Sequence, residues 1–320
     1  MKVGIQPTEG GAFFDETLAE VRLAERLGVD SVWLSEHHGV RDHYWPSPLL
    51  ALAALAVRTE RILLGTNVLV LPFYHPRRVA EEGAMLHLLS KGRFVLGVGM
   101  GYRAEEYEAF GLRPASKGTR YERGLRELTS LLSPEHAAGD GDALPVEPWA
   151  RPPVWAGGWG PENLRRAATY ADAWIPGPTA DMGKLLECRE IYHRHLREAG
   201  RDPREREAPL TRELIVAPTE REAWDAAEAY LLPMYRDEYG SAWGHGLVDP
   251  ERARELGEIG RNRFIIGSPD QVIAQTRRVA GEFGCTHIIY RLYGPRTPHA
   301  FILQEIELLG REVAPALREG

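Results

Sequence analysis

The sequence predicts an α/β protein, a (β/α)8 TIM barrel with insertions. Three observations point there. Short apolar runs alternate with segments of helical period along the chain, the pattern of parallel strands joined by helices. Arg61–Gly111 reads as one βαβ unit, which dictates a parallel sheet. The 320 residues, 43% of them hydrophobic, exceed the roughly 250 that such a barrel needs. One domain over 1–320 is expected, with a long loop at 133–153 and an insertion at 233–263 within it.

The expected strands are taken in order. Lys2–Gln6 is the first, followed by a helical face of Phe14, Leu18, Val21, Ala24 and Leu27 with Gly28 as cap. Asp30–Ser35 is the second and ends in Glu36-His37-His38. Leu49–Val57 is a helix that is apolar almost all round, so it needs a second cover. A partner subunit, making a homodimer, is the expected cover; an insertion from the same chain is the alternative. Arg61–Leu71 is the third strand, a near-continuous apolar run. Pro72–Pro76 breaks it, and a helix over Arg77–Ser90 ends at Gly92. Arg93–Val98 is the fourth strand, then a helix over Thr119–Leu132. Val154–Ala156, Ala173–Ile175, Leu210–Ala217 and Cys285–Tyr290 are the fifth to eighth. Thr219 with Glu222, and Ser268 with Pro269, open helices. Pro233–Arg263 reads as irregular apart from a short helix near Asp249–Ile259, an insertion suited to a lid.

The totals exclude several classes. A net charge of −7 argues against nonspecific nucleic-acid binding. Cys188 and Cys285 are too few for a disulfide framework. The N-terminus reads as a strand and not a signal peptide. No run approaches the ~20 apolar residues of a membrane span. A soluble cytoplasmic protein is the expectation.

In such a barrel the chemistry lies at the C-terminal strand ends. Those ends include Gln6-Pro7, Glu36–His38, Asn67–Pro72, Gly97–Tyr102, Gly157–Gly160 and Arg291–Tyr293. The set is glycine-rich and aromatic with few titratable groups, which suits a flat ligand with a phosphate tail. Gly157-Gly158-Trp159-Gly160 precedes a helix start, so its N–H groups and the helix dipole suit a phosphate. A tight turn is the alternative reading. Gly97-Val98-Gly99-Met100-Gly101 fails as a dinucleotide fingerprint because Tyr102 stands where the third glycine belongs. Its glycines serve either a ligand lying flat or close packing of the rim. His37 and His38 point to opposite sides of a strand end, so one faces the mouth and can move protons near neutral pH; two hydrogen-bonded structural histidines are the alternative reading. No metal-ligand spacing, P-loop or nucleophile elbow occurs.

Together, Gly28–His38, Leu64–Pro72 with His75-Pro76, Glu81–Gly99, Glu105–Gly111, Gly157–Trp174 and Gly267–Val272 resemble the bacterial luciferase-like monooxygenase superfamily, whose members use FMN or the deazaflavin F420. The resemblance implies a flavin in the barrel mouth. It places a strand-three bulge with a non-proline cis peptide at Asn67-Val68, the catalytic histidine at His37 and the phosphate loop at Gly157, Gly158, Trp159 and Gly160. Gly99 and Tyr102 would lie beside the ring. Met100 departs from luciferase, which has a phosphate-holding arginine there; Arg103 is the candidate substitute. The implied activity is a monooxygenase that takes reduced FMN from a separate flavin reductase and, with O2, oxidises a small-molecule substrate. F420-dependent oxidoreduction and flavin binding without turnover are the alternatives.

Overall fold

The computed structural model describes residues 1–39, 44–133, 151–242, 245–292, 294 and 296–319. Most of the loop expected at 133–153, with Trp243 and Tyr293, lies outside them.

In chain order the strands are β1 (Lys2–Gln6), β2 (Ser31–Leu34), β3 (Leu63–Thr66), β4 (Leu69–Val70), β5 (Phe94–Gly99), β6 (Val154–Gly157), β7 (Ala173–Ile175), β8 (Pro209–Val216), β9 (Ile265–Gly267) and β10 (His287–Arg291). The helices are α1 (Phe14–Arg26), α2 (Pro48–Ala56), α3 (Pro76–Leu89), α4 (Ala104–Ala109), α5 (Lys117–Leu131), α6 (Pro161–Tyr170), α7 (Met182–Glu198), α8 (Glu220–Ala226), α9 (Leu256–Ile259), α10 (Pro269–Phe283), α11 (His299–Leu308) and α12 (Ala314–Arg318). The strand pairs are parallel, so the fold is α/β as expected. Among the described residues no helix is long and apolar enough to cross a membrane.

The chain divides into two compact units. The first holds Met1–Val32, Pro176–Arg189 and Ala208–Gly320. Here β1 pairs with β10, from Lys2↔His287 to Gln6↔Arg291, and with the start of β2. β10 pairs with β8, and β8 with β9. β9 closely follows the segment read as an insertion, and the sequence reading missed it. The reading of Pro233–Arg263 as mostly irregular is corrected. Wide helical turns run over Met234–Ala242, and short ones over Arg252–Arg254 and α9. Met234, Tyr235, Tyr239, Leu256 and Ile259 share one buried cluster with Ile215 and Ile266. Core packing sets this segment's structure where its helical period is weak.

The second unit holds Trp33–Ile175 and Glu190–Glu207. Its ladder runs β3, β5, β6, β7, with β4 also on β5. The single strand expected at Arg61–Leu71 is in fact two. Gly65 pairs with Val95 and Leu69 with Val98, so four steps on one strand face three on the other, a one-residue bulge. The Asn67–Val68 peptide within it is cis. On the outside, α2 buries Leu49, Leu52 and Leu55 but leaves Leu50 73% exposed, with Val57 just after it at 64%. α3 packs beside α2 and exposes Met85 and Leu89. Arg93 fastens the end of α2, donating to the Ala56, Thr59 and Ile62 carbonyls and to Thr59 Oγ1 at 2.6–3.1 Å.

Candidate active site

The strand end after β2 is built around two buried glutamates. Glu36 accepts from the Val70 N–H at 2.6 Å through one oxygen. Its other oxygen takes the Tyr74 hydroxyl and lies 2.7 Å from His38 Nε2. Glu36 thereby ties the β2 end to β4 and to the turn before α3. Burial, then the Glu36 charge, push the Tyr74 hydroxyl far above the usual tyrosine range, so it stays a donor. His38 also meets the edges of Phe73 and Phe110, which stack on each other at 4.6 Å.

His37 turns instead to α4. Its Nδ1 lies 2.8 Å from Glu106 Oε1, which also accepts from the His38 N–H at 2.9 Å and from Arg103 at 3.3 Å. Burial by itself would raise the Glu106 carboxyl; the hydrogen bond and charge of His37, the His38 N–H and Arg103 outweigh it and hold the group below its usual value. An ionised carboxylate only accepts, so His37 Nδ1 carries the proton. Tyr44 and Tyr102 meet the His37 ring edge-on at 4.6 and 5.8 Å. The structure thus brings Tyr102 to His37.

The other expected cofactor contacts gather at the bulge. The Asn67 N–H donates to the Leu34 carbonyl at 2.8 Å. The methyls of Val68 occupy the space beside two glycines. A Cβ on Gly99 would sit 2.4 Å from one methyl, and a Cβ on Gly157 3.2 Å from the other. At Gly97 a Cβ would lie 1.9 Å from the Thr66 carbonyl oxygen. Close packing therefore accounts for the glycines at 97 and 99.

Gly157–Gly160 leads from β6 into α6. Trp174 Nε1 donates to the Gly158 carbonyl at 3.0 Å, and Asn163 to the Trp159 carbonyl at 3.0 Å. Gly160 caps α6 with φ +83° and no side-chain cap, and nothing lies within 4 Å of where its Cβ would be. Gly160 thus borders open space, and since Pro161 at the first helical position has no N–H, the first N–H groups of the helix are those of Glu162 and Asn163.

Sequence reasoning missed Glu106. Glu106 stands 69 residues from His37, and spacing alone carries no signal at that range. Arg103, the candidate phosphate ligand, is engaged by Glu106 and the His38 carbonyl. The first unit holds a second pair that was missed: His299 Nδ1 lies 2.7 Å from buried Glu20, which also accepts from the Thr8 N–H and hydroxyl.

The luciferase-like monooxygenase family matches residues 1–287, and the chain belongs to that family. Limonene 1,2-monooxygenase of Rhodococcus erythropolis is 28% identical over 94% of this chain and 80% of its own length. The oxygenase component of a flavin-dependent trigonelline monooxygenase from Acinetobacter baylyi is 27% identical over 81% and 78%. An F420-dependent glucose-6-phosphate dehydrogenase from Microbacterium testaceum is 29% identical over 93% and 91%. Among solved structures, monooxygenase RslO1 of Streptomyces bottropensis has a TM-score of 0.81 at 24% identity, covering 98% of this chain and 99% of that one. The oxygenating constituent of 3,6-diketocamphane monooxygenase from Pseudomonas putida, solved with FMN, has a TM-score of 0.77 at 22% identity, covering 98% of each. Both FMN and F420 are therefore represented among the relatives.

Proposed function

We propose that this chain is a flavin-dependent oxidoreductase, a monooxygenase that uses reduced FMN and O2 on a small organic substrate, built on a complete (β/α)8 barrel. The observation that carries the reading is His37, held by buried Glu106 at a strand end, in a chain of this family. The residues present fit a flavin: the uncapped start of α6 at Gly160 offers N–H groups and room for a phosphate. Val68, backed by Gly99 and Gly157, offers an apolar wall for a ring, with Asn67 next to it and Tyr102 beside His37. Gly158 and Trp159, whose carbonyls are already engaged, shape the phosphate turn. When bound, reduced FMN supplies the electrons that activate O2. His37 moves a proton at Nε2, and Glu106 keeps its ring in one orientation and tautomer. The name of the trigonelline relative, an oxygenase component, supports a separate reductase as partner.

Oxygen uptake by the purified chain with reduced FMN, and comparative binding of FMN and F420, test the reading. FMN binding with substrate-stimulated oxygen uptake is expected. Tight F420 binding with negligible FMN binding overturns it in favour of an F420-dependent oxidoreductase. That second reading is favoured by Met100, which stands where luciferase has its phosphate-holding arginine.

A homodimer through α2 and α3 is part of the proposal, supported by the exposed Leu50, Val57, Met85 and Leu89. Light scattering should report a dimer, and Leu50→Glu with Val57→Glu should yield monomer; an unchanged mass for the double variant breaks it.

A further inference from the structure

The second unit carries a cavity of about 440 Å³ that the proposed chemistry does not use. One wall is the turn Phe73, Tyr74, His75 and Pro76; the other is Arg120, Arg123 and Glu127 of α5. Positions three and four apart on a helix share a face, so these three side chains line the cavity together. Arg120 donates through Nε and one terminal nitrogen to the Pro72 carbonyl, at 3.2 and 3.0 Å, and pins the turn. Its other terminal nitrogen makes no hydrogen bond to a described residue. Arg123 has no hydrogen-bond or ion-pair partner among the described residues and is exposed. Two guanidinium groups against one carboxylate leave the cavity with a positive balance beside an aromatic wall. The size falls within the ~300–1,000 Å³ of small-molecule sites.

We propose that this cavity binds a small organic anion, a carboxylate carried on an aromatic ring. The carboxylate is held by Arg123 and the spare nitrogen of Arg120, because planar guanidinium groups match carboxylate geometry. The ring packs on Phe73 and Pro76, with Phe73 braced from behind by Phe110. A bare inorganic anion gains the charge attraction without that wall. The site is joined to the histidines by hydrogen bonds, since the Tyr74 hydroxyl donates to Glu36, the carboxylate that also holds His38. The inference stands apart from the flavin reading and uses none of its residues.

Titration calorimetry on the full chain at low salt tests it, with benzoate, benzamide and inorganic phosphate as probes. Benzoate is expected to bind, with benzamide and phosphate each weaker by about tenfold or more, as loss of a paired charge or of ring contact implies. Arg123→Gln should weaken benzoate about tenfold and leave benzamide unchanged, while Glu127→Gln should tighten benzoate about threefold. Benzoate binding that neither variant alters, phosphate binding equal to benzoate, or no benzoate binding at about 10 mM, the weak end of specific affinity, each overturns the proposal. Thermal melts matched to the parent chain show that a loss of binding is not a loss of fold.

Discussion

His37 on Glu106 and His299 on Glu20 pair the same residue types at nearly the same distance, 2.8 and 2.7 Å. Both glutamates are buried, and each receives a backbone N–H. Yet their carboxyls move in opposite directions. Burial is the largest influence on both, and it pushes both up. At Glu106 it is outweighed by His37, the His38 N–H and Arg103, so the group lies below its usual value. At Glu20 burial wins over Thr8 and His299. The difference lies in how far the neighbours offset burial. Glu106 has an arginine besides its histidine, whereas Glu20 has only Thr8 and His299 against its burial; the Glu20 charge in turn adds to the burial that drives up buried Glu305. The lesson is that a histidine–carboxylate distance does not define a role; the charges around the carboxylate do. A carboxylate that stays ionised across the neutral range can fix a working histidine. One that burial pushes up is a weaker anchor.

The largest effect should separate the histidines. His37→Ala is expected to lower turnover by about 10²–10⁴-fold, the usual share of a positioned acid or base, with a far smaller change in flavin affinity. His299→Ala should leave turnover within about twofold, as for a substitution outside the chemistry. Equal losses of turnover and flavin affinity in His37→Ala remove the catalytic role, and a large loss in His299→Ala erases the contrast.

Glu106→Gln comes next. Removing a carboxylate that orients a functional histidine costs about 10–100-fold in comparable sites. Because an anion beside His37 is lost, the pH profile of turnover should also move to lower pH. Glu20→Gln should not move it. A Glu106→Gln enzyme with lower turnover and an unmoved profile would make Glu106 a structural residue only.

The smallest effect is on stability. Glu20 and Glu305 have raised folded values, so their contribution is full below the ordinary carboxylate range and is lost as pH rises through those values. Glu106 is depressed, so its contribution is present above the ordinary range and lost as pH falls through the depressed value. Glu305→Gln should therefore flatten the decline of Tm toward alkaline pH, by a stability difference on the order of 1 kcal/mol. Glu106→Gln should flatten only the acid side. A Glu305→Gln protein destabilised equally at every pH shows that Glu305 acts by packing alone.

The strands with clear periods were legible in the sequence, because burial on a sheet writes itself as an apolar run. β9 was not, since Ile265–Gly267 follows closely on the segment read as an insertion and runs into a helix start at Ser268. The turns at Met234–Ala242 were not, because they depend on a core assembled from β8 and β9. At the candidate site, the position of His37 just past β2 was legible in the sequence. Its partner was not: Glu106 sits among other acids in the run Glu105–Glu108, and nothing local distinguishes it. The glycines at 97 and 99 were ambiguous until the Thr66 carbonyl and the Val68 methyls were seen beside them.

Arg93 gives the exposed face of α2 a property of its own. By holding the carbonyls of Ala56, Thr59 and Ile62 together, one guanidinium keeps the end of that helix from fraying. A face already rigid loses little conformational entropy when another surface covers it, so more of the apolar gain from Leu50 and Val57 remains as affinity. In the homodimer proposed above, Arg93→Met should therefore slow association and raise the dissociation constant, although Arg93 need touch nothing across the proposed contact.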